Sequence, residues 1–312
     1  MIVLSTRNNK TMKMNTKLKF LVRTSLLSLV FTTAVSAQGP VDGFFDKKGK
    51  ASITLSYSYG NYDEFYVGGQ KVEGVPVHNE IDQTIYSLYA KYGLTDNITL
   101  IASLPYIKAE GKGGEDPVNG TTEQSDFQDA SVFVKWAPYV EQLSNGSVTY
   151  FVALGSSVPL GYEPNGILSL GTGAPGLDGK LGLQYNNNSG FFGTVIAGYG
   201  LRGKADNNAP TGGEDFDAPN VANVVFKLGY AGKYFYVDGW LDGQTSLSGV
   251  DIMGEGFAGN FPETRVGYSR VGANLYVPFT PFIGVSAGFG TVIDGRNIGL
   301  TTYYTGGITL NL

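Results

Sequence analysis

Along residues 51–59 the side chains alternate, with Ala51, Ile53, Leu55, Tyr57 and Tyr59 on one parity and Ser52, Thr54, Ser56 and Ser58 on the other. Successive side chains of a strand point to opposite faces, so the segment predicts a strand with one apolar and one polar face. The alternation recurs at 86–92, 98–106, 130–136, 150–154, 181–185, 195–201, 224–230, 235–241, 271–277, 283–289 and 308–312. This predicts about twelve strands of roughly 9 to 11 residues, the length that crosses a membrane at a tilt. Within the strand cores the charged residues fall on the polar parity; Arg265, early in its segment, is the nearest exception. Periodicity alone fits either a soluble barrel with an apolar core or a membrane barrel turned inside out.

The connections distinguish the two. Long segments at 60–82, 108–127, 159–175, 203–219 and 243–263 alternate with short ones at 93–97, 186–190, 231–233 and 278–281, a moderate one at 138–146, and a last one at 293–299. Long loops on one side and short turns on the other are the layout of an outer-membrane barrel. Tyr57, Tyr59, Tyr86, Tyr92, Tyr106, Trp136, Tyr185, Tyr199, Tyr230 and Tyr304 lie toward the ends of the apolar parity, where amphipathic rings suit a membrane interface. The expected fold is therefore all-β, a transmembrane antiparallel up-and-down barrel. Hydrocarbon tolerates no unpaired backbone, so the first strand should close onto the last.

The first 37 residues differ in composition, with six Lys/Arg and no Asp, Glu or Gly. From Met14, basic Lys17, Lys19 and Arg23 precede an apolar stretch at 26–35 that ends in Ser36 and Ala37. This reads as a secretory signal peptide cleaved after Ala37, with the start codon at Met1 or Met14. The organisation expected is a leader at 1–37 and one barrel at 38–312. Residues 38–50 read as a lead-in too short to form a plug domain. Without the leader, 275 residues carry 16 basic and 27 acidic side chains, a balance that argues against nucleic acid as a partner. Cysteine is absent, which excludes thiol catalysis, thiolate metal sites and a lipidated N-terminal cysteine.

Tyr92-Gly-Leu-Thr-Asp-Asn-Ile-Thr-Leu100, followed by Ser103-Leu-Pro-Tyr106, resembles a turn-and-strand segment common in the family called MetA-pathway of phenol degradation, a group of bacterial outer-membrane proteins. The segment at 126–136 and Val158-Pro-Leu-Gly161 are similar to that family too, and the resemblance runs from about Lys50 to the C-terminus. It implies an outer-membrane location in a Gram-negative cell and uptake of small hydrophobic or aromatic compounds. Outer-membrane lipid and the barrel-assembly machinery are the expected partners. Many such barrels end in Phe, whereas this chain ends Leu310-Asn311-Leu312.

Motifs suggestive of chemistry fail on context. Gly198-Tyr-Gly-Leu-Arg-Gly203 matches a dinucleotide fingerprint, but no helix follows to face a pyrophosphate. Gly284-Val-Ser-Ala-Gly288 matches a nucleophile elbow, yet the strand continues through it; Gly284, Ser286, Gly288 and Gly290 read as a small-residue stripe facing the lumen. His78, the single histidine, falls in the first long loop and reads as solvated, with a barrel lipid hydrolase as the remote alternative. The acidic clusters Asp63/Glu64, Glu115/Asp116 and Glu214/Asp215/Asp217 have no cation-loop spacing and read as surface. No catalytic residue, cofactor or metal is expected.

The polar parity is the informative part. Lys91, Lys135, Lys180, Arg202, Lys227 and Arg270 face Asp129, Asp238 and Asp242 there, with Tyr234, Tyr236, Trp240, Tyr268 and Tyr276 among them. They form either a salt-bridge network filling the bore or a basic, aromatic-lined path for small aromatic or anionic solutes. The expected function is a channel or transporter for such compounds, and the alternative is a non-transporting, structural or partner-binding barrel.

Overall fold

The computed structural model describes residues 40–207 and 212–312. The leader and its cleavage site lie outside the described residues. Twelve antiparallel strands form one closed sheet: β1 Ala51–Tyr62, β2 Ile81–Thr95, β3 Ile98–Gly111, β4 Ala130–Leu143, β5 Gly146–Val158, β6 Gly176–Asn187, β7 Phe191–Arg202, β8 Val221–Ala231, β9 Tyr236–Ser246, β10 Gly267–Pro278, β11 Ile283–Arg296 and β12 Thr302–Asn311. Each pairs with its chain neighbour, and β1 closes on β12 from Ser52↔Asn311 to Asn61↔Thr302.

Loops at 63–80, 112–129, 159–175, 247–266 and 297–301, with 203–207 and 212–220, gather at one end, and turns of two to four residues lie at the other. Strands of ten to fifteen residues exceed the expected length because pairing continues past the apolar band at the long-loop end, as in β2 and β3. Two prolines mark irregularities, since neither can donate to a ladder. Pro138, expected in a moderate connection, instead sits in a register shift between Trp136 and Tyr139, so β4 runs on to a two-residue turn. Opposite Pro105 the sheet is interrupted between β4 and its outer extension Glu123–Phe127, with Gln128 N donating to the Pro105 carbonyl at 2.9 Å.

Polarity is inverted relative to a soluble barrel. Leu55, Leu88, Val132, Leu154, Leu181, Leu228 and Ile308 face outward and are exposed, whereas Ser52, Thr54, Ser56, Thr99, Gln184, Thr194 and Thr309 are buried inside. Hydroxyl pairs knit the inner wall, such as Thr54 to Thr309 at 2.8 Å and Ser58 to Thr305 at 2.7 Å.

The nucleophile-elbow and dinucleotide look-alikes lie in β11 and at the end of β7, and inner-face glycines make room for large rings. A Cβ on Gly284 would sit 2.2 Å from the Tyr276 hydroxyl, and one on Gly272 would sit 2.2 Å from both the Trp240 ring and the Phe289 carbonyl. Overpacking of this kind costs about 1–3 kcal/mol. Gly272→Val is therefore expected to lower the temperature at which the barrel unfolds on semi-native gels. Gly306→Ala, whose added Cβ meets nothing within 4 Å, should leave it unchanged. Equal midpoints would show that the ring packing carries no weight.

Candidate functional site: the bore and the segment inside it

The segment at 40–50, read from sequence as a short lead-in, has a place in the barrel. It enters the barrel at the turn end and lies in the bore, with Val41, Asp42, Gly43 and Phe44 all buried. Its foot is fixed by backbone bonds, Gly49 N to the Gly93 carbonyl at 2.7 Å and Gly93 N to the Lys50 carbonyl at 2.8 Å. Gly93 has to be glycine, since a Cβ there would lie 2.2 Å from the Lys47 carbonyl. Its far end is held by the Tyr89 hydroxyl, which donates to the Pro40 carbonyl at 2.7 Å.

Between these anchors the strap carries the counter-charges of two wall lysines. Lys135 Nζ lies 2.9 Å from Asp42 Oδ1 and donates to the Asp42 and Phe44 carbonyls. Lys91 Nζ lies 3.3 Å from Asp42 Oδ2 and 3.3 Å from Asp46 Oδ2. Both lysine side chains are fully buried, and a buried charge persists only when paired and hydrogen-bonded. Burial alone would raise the Asp42 carboxyl, but the Lys135 and Lys91 charges outweigh it and hold the group well below the usual carboxylate range.

The apolar side chains of the strap are seated as well. Val41 packs with Tyr89, Ile101, Phe133, Phe151 and Ile196. The Phe44 ring meets Phe192 edge-on at 5.0 Å and Tyr236 at 5.9 Å, and those two stack at 5.4 Å. The Phe45 ring meets Phe151 at 6.1 Å, with Lys135 Nζ 4.3 Å from the Phe45 centroid. Beside Phe44, a cavity of about 820 Å³ opens at the turn end, bounded by Tyr236, Tyr276, the β6–β7, β8–β9 and β10–β11 turns and Ser147.

The fourteen inner-parity residues singled out from sequence fall in different places. Lys91 and Lys135 bind the strap, while Tyr236 and Tyr276 border the adjoining cavity. Asp238 accepts from the Tyr236 hydroxyl and from Asn274 Nδ2 at 2.8 Å; Asp242 pairs with Arg270, whose guanidinium lies 4.3 Å from the Tyr268 ring centre. Toward the long-loop end, Arg202 pairs with Asp178 at 3.2 Å, and Asp129 accepts from the Tyr162 hydroxyl. Trp240 is buried against Gly272 and Gly290, and Lys180 and Lys227 are half-buried on the inner wall. Among the acid–base pairs expected across the wall, only Arg270–Asp242 forms a salt bridge among the described residues; the other bases found take Asp42, Asp46 and Asp178. Tyr234, expected in the lumen, is instead exposed in the β8–β9 turn.

The long-loop end is filled too. Tyr62, Phe65, Val75, Ile81 and Ile107 form an apolar core with Tyr162, Leu168, Leu170 and Ile252 from the loops. His78 is not solvated: it is fully buried, with Nε2 3.7 Å from Asp116 Oδ2 and Gly111 at the end of β3 and Gly113 of the loop packed against it. Its neighbours Val77 and Asn79 have φ of 68° and 59°, strained for a β-branched residue such as Val77. Asp116, expected at the surface, is buried and accepts from the N–H of Val118 at 2.8 Å and of Ile167 at 2.5 Å, tying three loops together.

No family model matches the chain, and no curated protein does. Among solved structures, the COG4313 outer membrane channel from Pseudomonas putida F1 is 13% identical and superimposes with a TM-score of 0.69 over 90% of this chain and all of its own. The NanC porin is 11% identical, with a TM-score of 0.48 over 83% of this chain and all of its own. The CymD monoaromatic hydrocarbon channel is 7% identical, with a TM-score of 0.40 over 85% of this chain and 88% of its own. At these identities the likeness is one of fold: the chain shares the closed barrel of an outer-membrane channel.

Proposed function

We propose that the chain is an outer-membrane channel that passes small hydrophobic or aromatic compounds through the bore. One observation carries this reading: a closed barrel with exposed Leu, Val, Ile and aromatic side chains outside and buried Ser, Thr, Lys and Asp inside. A water-soluble protein does not spread that much large apolar surface around a full ring of strands, whereas lipid covers it at no cost. In this orientation the turn end of the barrel, with the C-terminal Leu312, faces the periplasm, and the long loops face outward. The thirteen inner-wall residues placed above form the path, and the COG4313 channel fold supports the reading. Kinship with the MetA-pathway family, assembly by the barrel machinery and export by a leader cleaved after Ala37 belong to the same proposal. Cleavage there would leave two residues before Pro40, the first described residue of the segment in the bore.

A second reading is favoured by the filled ends: a non-transporting barrel, closed by the strap on one side and the loop core on the other. Separating fractionated membranes on a gel, boiled and unboiled, tests the first premise. The expected result is a heat-dependent mobility shift in the outer-membrane fraction; an unshifted soluble protein would overturn both readings.

A further inference from the structure

The wall around the strap brings charged groups and aromatic rings together. Lys91 and Lys135 together carry two positive charges, and in this structure Asp42 and Asp46 match them, both supplied by the strap. With the strap withdrawn, two ammonium groups would remain at one level of the bore, with Lys227 near enough to act on the same point. Among the described residues the salt bridges of the two lysines go to the strap, while the wall's Asp238 accepts from Tyr236 and Asn274. Beside the lysines lie the stacked Phe192 and Tyr236 rings, on which Phe44 sits edge-on.

Two residues of the strap thus present a carboxylate to a pair of lysines and a phenyl ring to an aromatic wall. We infer that the Lys91/Lys135 pair with Phe192 and Tyr236 is a binding site for small aromatic carboxylates, which the strap occupies as a tethered competitor through Asp42 and Phe44. The ring subsite borders the cavity of about 820 Å³ at the turn end, so a free ligand reaches it without crossing the barrel wall. A tethered occupant competes at an effective concentration in the millimolar range. The apparent affinity of a free ligand is therefore reduced by the fraction of sites the strap holds. The physiological use of the site rests on the channel reading above, but binding is measured independently of flux.

The test is calorimetric titration of 3-phenylpropionate into the folded, detergent-solubilised barrel, with 3-phenylpropanol and acetate as comparators. Asp42→Asn keeps the shape of the competitor and removes its charge, and it is expected to tighten 3-phenylpropionate binding by about tenfold or more. The alcohol and acetate should each bind more weakly to that variant than the aromatic acid. A second arm locks the strap. A Cβ on Gly43 would lie 2.9 Å from Gln184 Cβ, so cysteines at the two positions reach the roughly 3.5–4.5 Å of a disulfide once the strap backs off by about 1 Å, in a chain with no cysteine of its own. The oxidised Gly43→Cys/Gln184→Cys pair should lose 3-phenylpropionate binding, and reductant should restore it. Equal affinity in the wild type, Asp42→Asn and the oxidised pair would overturn the inference, as would equal binding of acid and alcohol. If the acid fails to bind while aromatic solutes still cross liposomes, the site falls and the channel reading stands.

Discussion

A cysteine placed at Gln184 is expected to react with a bulky maleimide slowly in the otherwise native barrel, and faster by two orders of magnitude or more once the strap is weakened. Gln184 is fully buried on the inner wall and faces Gly43, so reagent reaches it only when the strap leaves. Burying a Val or Phe side chain contributes about 1.5–3 kcal/mol. Replacing Val41, Phe44 and Phe45 with Ser therefore removes several kcal/mol of docking energy. At about 1.4 kcal/mol per tenfold change, the undocked fraction rises at least about a hundredfold. Pairing between β6 and its neighbours is untouched by these changes, so heat-modifiability should persist. Unchanged labelling in a barrel that remains folded would mean that the strap does not govern access to the bore.

The second large effect is expected at the opposite end. Asp116→Ala removes the acceptor shared by Val118 and Ile167 and the carboxylate facing His78. A hydrogen bond to a charged group contributes about 1.5–3 kcal/mol, and a buried donor left unmade costs a similar amount. The loops should open locally while the strands stay paired, because local stability follows local contacts. Trypsin cleavage after Lys112, at the edge of this loop, is the measurement. The rate should rise at least about tenfold in Asp116→Ala, at 1.4 kcal/mol per decade, and less in Asp116→Asn, which keeps a carbonyl acceptor. Equal rates in all three proteins would show that Asp116 does not hold the cap.

The barrel itself was legible because strand alternation is a local property. Residues 51–59 state their two faces without reference to any partner, and the spacing of connections states which end is which. The ion pairs were not legible, because strands adjacent in sequence do not say which levels of the bore meet. Lys91 and Lys135 were placed on the inner wall by parity, but their partner Asp42 lies outside every alternating segment. A signal was present all the same: Val41, Phe44 and Phe45 set among Asp42 and Asp46 are too apolar for a solvated tail. The length of 38–50 argues against a folded plug domain, yet a single extended strap needs no core of its own and borrows that of the barrel. His78 and Asp116 were misplaced for a related reason, since a long loop reads as surface until its own apolar residues, such as Leu168 and Leu170, are seen packing over the mouth.

Flux through liposomes tests the central claim most directly. The solute is benzenesulfonate, an aromatic anion that bilayers exclude, and the proteins are the wild type and a variant combining the three strap substitutions with Asp116→Ala. A channel closed by the strap and the loop core predicts slow uptake with the wild type and rapid uptake with the variant, well above protein-free liposomes. No uptake through the variant, in vesicles where the barrel is shown to be folded by its heat-dependent mobility, would contradict a transport role and leave the non-transporting barrel.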